Sequence, residues 1–173
     1  MKSLKVGLLT AVLAFVFCTG VAHAQATGAK KFGVMDLSKV FDNYQRTKDY
    51  DIVLEGKTKD YEKTRNEKID SIKELQNKIA LLKDNEKEKV QKDLETMRSD
   101  LTTFDQAQQT ELRKQRDEKI REILLEIEKI TSDYAKKEKY DMIFNDRVLV
   151  YGSDGMDISA QVLEILNSGY KKK

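Results

Sequence analysis

Between residues 45 and 139 the chain has no proline and a single glycine, Gly56, and 46 of these 95 residues are charged, 23 of each sign. So polar a stretch can bury too little to fold into a compact globule, and the lack of breakers favours long helix. Short, strongly apolar, strand-like segments flank it. The pattern predicts a polar helical arm inserted between two halves of a small apolar body, shaped to reach or hold something rather than to carry an active site.

The N-terminus reads as a secretory signal over residues 1–24. Lys2 and Lys5 form a positive start, residues 6–17 an apolar run, and Ala22-His23-Ala24 a small-x-small cleavage site. The run is short for a membrane anchor. Bulky Phe15 and Phe17 ahead of Cys18 do not fit a lipid-attachment site. Cleavage near Ala24 would remove the only cysteine and the only histidine, Cys18 and His23, and leave a chain that also lacks Trp and Pro. Thiol nucleophiles, imidazole bases, disulfides and the usual zinc or haem ligands are then excluded. An exported chain without disulfides must be held by packing or by oligomerisation. Loss of Lys2 and Lys5 takes the 32 basic residues to 30, equal to the 30 acidic ones. A neutral chain lacks the basic field that a nucleic-acid binder needs.

Within residues 25–44, Phe32-Gly33-Val34-Met35 reads as a strand. Asp36 then caps a short helix with Leu37, Val40, Phe41 and Tyr44 on one face. The first arm helix is expected over 45–83, with Leu54, Tyr61, Ile72, Leu75, Ile79 and Leu82 as its stripe and Arg65 and Lys68 interrupting it. The polar segment 83–87, with Asp84-Asn85-Glu86 at its centre, is the expected reversal; one unbroken helix is the alternative. The return helix shows heptad spacing at Val90, Leu94, Met97, Leu101 and Phe104, a break at 106–110, and a shifted stripe at Ile120, Ile123, Ile127, Ile130 and Tyr134. The hairpin is thus expected to be zipped at its tip and base and weakly packed between, with a reach of ~60 Å for ~40 residues.

Over 140–173 the period changes. Met142-Ile143-Phe144 and 148–151 flank Asn145-Asp146-Arg147 and predict a β-hairpin. Both runs are apolar at consecutive positions, so both faces should be buried, and partner subunits are the simplest cover. Asp157 is expected to cap a last helix with Ile158, Val162, Ile165 and Leu166 on its apolar face, ahead of a solvated lysine tail.

These residues resemble the Skp/OmpH family of periplasmic chaperones. Residues 32–41 look like the family's opening strand and short helix; 140–145, 148–151 and 157–163 look like its closing hairpin and helix. The resemblance spans the chain after residue 24 and is specific at the two ends, generic in the arm. It implies a mostly α, α+β fold: a long antiparallel helical hairpin projecting from a small β-body shared by the subunits of a homotrimer. Phe32, Val34, Val40, Phe41, Met142, Phe144, Val148, Val150, Ile158 and Val162 would belong to that body. It also implies a periplasmic protein that holds unfolded outer-membrane proteins between three arms without ATP or any cofactor. The best-known members are strongly basic; this chain without residues 1–24 is neutral, so no lipopolysaccharide site is carried over to particular residues.

Other chemistry has little support. No GxxxxGK[ST] phosphate loop occurs, and no serine is paired with a base. Arg113, Lys114, Arg116, Lys119 and Arg121 form the densest basic cluster. They read either as a contact for lipid headgroups or as a solvated face neutralised by Asp117, Glu118 and Glu122. Gly56 is a hinge or a tolerated surface glycine. Met97 and Phe104 fit the seam. Tyr50, Tyr61 and Ile69 are the candidate client contacts. The competing function is a structural coiled-coil spacer or tether in the envelope, for which apolar terminal segments serve no purpose; an exported hydrolase is disfavoured.

Overall fold

A computed structural model describes residues 29–171. The expected signal segment and the last two lysines lie outside these residues. The element order is β1 (Phe32–Met35), α1 (Leu37–Asn43), α2 (Gln45–Ile79), α3 (Asp84–Lys137), β2 (Met142–Asn145) and α4 (Ser159–Gly169). At about 1.5 Å per residue, the 35-residue α2 and 54-residue α3 run ~52 and ~81 Å. The extra length of α3 carries it past the hairpin into the body.

Local chemistry sets most boundaries. Asp36 Oδ1 accepts from Lys39 N at 2.8 Å and starts α1. Tyr44, extended at φ −67° and ψ 127°, separates α1 from α2. Its side chain cannot cap α2, so Asn167 of α4 does: Gln45 N donates to Asn167 Oδ1 at 2.8 Å. The helices reverse at 80–83, ahead of the expected 83–87. Asp84 and Glu86 are the reason. Acidic side chains are favoured in a helix's first turn, so they join α3 rather than the loop. Arm helix α3 is unbroken through 106–110.

At its C-terminus α3 closes with Lys139 in the left-handed region, φ 59°. Tyr140 N donates to Ala135 O and Lys139 N to Lys136 O, the paired bonds of a glycine-type helix end. A lysine there carries a steric cost of about 1 kcal/mol. Lys139→Gly is therefore expected to raise stability by ~0.5–1 kcal/mol, read as a higher denaturant midpoint.

The sheet has two parallel strands, with Phe32 opposite Met142 and Val34 opposite Phe144. The helical arm is thus one long crossover between them. Val34 O also accepts from Ile158 N at 2.9 Å on the second edge of β1. Gly33 faces inward, where an added Cβ would meet the Tyr140 ring at 3.1 Å. The core is small: Met35, Val40, Tyr44, Ile123, Ile127, Ile158, Val162 and Leu166. It joins α1, α3 and α4 beneath β1.

The expected hairpin of 142–144 with 148–151 does not form. After β2, Asn145 Oδ1 accepts from Arg147 N and Leu149 N donates to Asp146 O, closing a single 3₁₀ turn. A side chain that offers the backbone a local partner has outcompeted the ladder. Residues 149–151 then cross toward Val34, and β2 keeps an unpaired outer edge among the described residues.

Asp157 does meet the start of α4, one position ahead of its cap residue Ile158. Its Oδ1 accepts from Ser159 N at 2.8 Å and from Ser159 Oγ at 2.5 Å, while Ser159 Oγ accepts from Asp36 N at 2.9 Å. This relay ties the starts of α1 and α4 together. The Ser159 hydroxyl first, then its N–H, hold the Asp157 carboxyl below its ordinary value. A depressed carboxyl stabilises the fold above its unfolded value, and that stabilisation is lost as pH falls through the folded value. Asp157→Asn, which keeps the accepting oxygen but removes its charge, is expected to cost about 1 kcal/mol at neutral pH. Its deficit in denaturant midpoint should vanish in acid, below the ordinary Asp range.

Candidate functional site: the body face and the arm seam

The outer face of the sheet is apolar and open. Phe32 and Phe144 lie with ring centroids 6.2 Å apart, and Met142 beside them is 56% exposed. Next to this face an apolar groove of ≈ 510 Å³ runs between β2 and α3, floored by Leu37, Leu124, Ile127 and Ile143. Val148, Val150 and Tyr151 are 71%, 107% and 83% exposed. A two-stranded sheet is marginal alone, and an unpaired strand edge beside a free apolar segment is a pairing template. Of the other residues expected in the body, Val40, Ile158 and Val162 are buried in this chain's own core; Val34 and Phe41 are half-buried.

The arm is rooted by polar groups on α2 and α3. Arg46 pairs with both Glu122 and Glu126, one turn apart. Buried Tyr44 stacks edge-on against Tyr170 at 5.8 Å. Burial first, then the adjacent Glu126, pushes its phenol up to about 12. Lys119, with help from Arg46, holds the Glu122 carboxyl below its usual range. Sequence reading missed Arg46. Its signal was a pair of glutamates four apart on the return helix, facing an arginine at the start of the outgoing one.

The seam changes character along the arm. Ile72 and Leu94 are buried in its distal half. Nearer the body, no residue is buried from 48 to 71 on α2 or from 95 to 122 on α3. Polar contacts join half-buried apolar ones there. Tyr61 packs on Phe104 with centroids 5.8 Å apart, and its hydroxyl donates to Asp105 Oδ1 at 3.0 Å. Arg65 Nε donates to Asp105 Oδ2 at 3.0 Å, and Lys68 sits over the Phe104 ring at 5.3 Å. Arg65 and Lys68, read from sequence as interruptions of the stripe, are thus part of the seam. Asp105 went unnoticed.

The remaining candidates fall along the same arm. Tyr50 is half-buried with Lys119 over its ring at 6.0 Å. Ile69 is half-buried, and a Cβ on Gly56 would meet nothing within 4 Å. Arg113, Lys114 and Arg121 share one face of α3 with Asp117, Glu118 and Glu122, so this part of the basic cluster lies among carboxylates. Among the described residues, no group of His, Cys, Asp or Glu is arranged to hold a metal, and no helix is long and apolar enough to cross a membrane.

Geometry defines the class: a long antiparallel helical hairpin set on a small α+β body with an open apolar face. The family described as outer membrane protein (OmpH-like) matches residues 31–166, and the chain belongs to this Skp/OmpH family. It is 26% identical over 147 residues to the chaperone protein Skp of Pectobacterium atrosepticum, covering 83% of this chain and 89% of that protein. The fold is similar to the crystal structure of a putative outer membrane chaperone (OmpH-like) from Caulobacter crescentus CB15. That match has a TM-score of 0.78 and 11% identity, and covers 83% of this chain and 88% of the other.

Proposed function

We propose that this chain is an ATP-independent holdase of the periplasm, working as a homotrimer after removal of its leader near Ala24. The observation that carries the reading is the pairing of a long, marginally zipped arm with a body face left open at Phe32, Met142, Phe144, Val148 and Val150. Three copies would cover these faces mutually and set three arms around a cavity. Unfolded outer-membrane strands expose apolar side chains and unpaired backbone. A cavity wall offering many weak contacts shelters them, with affinity from multivalency and release without fuel. Tyr50, Tyr61 and Ile69, half-buried in the arm, are the proposed client contacts; lipid headgroups at the basic cluster are a lesser one. A spacer or tether accounts for the arm but leaves the open body face without a purpose. Processed protein is expected to suppress aggregation of a denatured outer-membrane protein at about one trimer per client. No suppression at any excess overturns the proposal.

A further inference from the structure

We infer that Asp105 is a latch holding the middle of the arm shut, so that the hairpin opens there as a discrete unit while its root and distal half stay paired. The arm has two anchors, the Arg46 clamp at its root and the buried Ile72 and Leu94 toward its tip. Between them lie 24 residues of α2 and 28 of α3 with no buried side chain. Helix pairing through half-buried side chains alone has little to oppose local separation.

Asp105 holds this stretch by an economical geometry. One carboxylate on α3 receives Tyr61 and Arg65, which sit one turn apart on α2. It is the less exposed partner of the ion pair, with 21% of its side chain accessible against 41% for Arg65. Its neighbour Phe104 packs with Tyr61 and lies under Lys68, so the aromatic contacts close over the same turn. Releasing Asp105 removes both charge-assisted bonds together. It frees the α2 segment 58–71, which lies distal to the separate Lys57–Gln115 contact. On the holdase reading the opened segment would also offer Tyr61 to a client, and that consequence rests on that reading.

Hydrogen exchange of the full-length processed protein, read by mass spectrometry without client, tests the latch independently of chaperone activity. Asp105→Ala is expected to speed exchange several-fold within 58–71 and 95–111, since a half-exposed ion pair and a tyrosine bond are lost together. Segments 72–94 and 123–137 should be unchanged. Arg65→Ala alone, which leaves the Tyr61 bond to Asp105 in place, is expected to give a smaller rise in the same window. Asp100→Asn, at an exposed site on α3, should alter nothing. Unchanged exchange in the middle of the arm for Asp105→Ala, or an equal rise along the whole arm, overturns the latch. A protein that fails to hold clients yet shows the localised rise would refute the holdase reading alone.

Discussion

Val150→Asp is expected to leave each chain folded and to separate the chains from one another. Val150 is 107% exposed in the isolated chain, so a carboxylate there stays in water and touches no intrachain contact. In an assembly that buries residues 148–151, the same carboxylate loses its hydration without gaining a partner, a penalty of several kcal/mol at each of three sites. Sedimentation should show single chains where the unsubstituted protein is expected to show trimers, while far-ultraviolet dichroism keeps its full helical signal. A trimer that persists at equal concentration would place the assembly surface elsewhere.

Ile127→Ala should do the reverse, damaging the chain before the assembly. Ile127 is fully buried where α3 passes through the body, and an Ile→Ala change at such a site costs about 2–5 kcal/mol. So small a core has few neighbours to relax into the cavity. Hydrogen exchange should rise first in β1, β2 and α4, and the distal hairpin should keep its protection because it lies beyond the lesion. Ile52→Ala, at a site 64% exposed, is the comparison and is expected to stay within about 0.5 kcal/mol of the parent. Equal effects of the two would mean that the body does not depend on this core.

Much of the fold is legible in the chain because its signals are local. Asp36 ahead of Leu37, Val40, Phe41 and Tyr44 specifies a cap and one helix face, and α1 forms there with Val40 and Tyr44 buried. The shifted stripe at Ile123 and Ile127 marks where α3 leaves the hairpin for the body. The failures are equally physical. Residues 148–151 read as a strand because four apolar side chains in a row demand burial, but an apolar run does not say which surface supplies it. Asn145 then turns the chain away from a hairpin through its own side chain. The reversal comes earlier than the sequence suggests because Asp84 and Glu86 look like turn residues out of context, while their favourable place in a helix's first turn decides the matter.

Asp105 is the least legible feature. One carboxylate among 30 acidic residues carries no mark of its own. Its pairing with Tyr61 and Arg65 follows only once the 80–83 reversal fixes the register of the two helices. Tyr61 stands out in the sequence as a member of the apolar stripe, and Arg65 as an interruption of it. What joins them is the partner helix, which no local pattern records.

The proposed cage is tested most directly by the native mass of the processed protein, alone and with an unfolded porin-like client. Three chains alone, and three chains with one client after mixing, are the predicted species. A single chain in both samples, or a trimer whose mass is unchanged by client, would contradict the account.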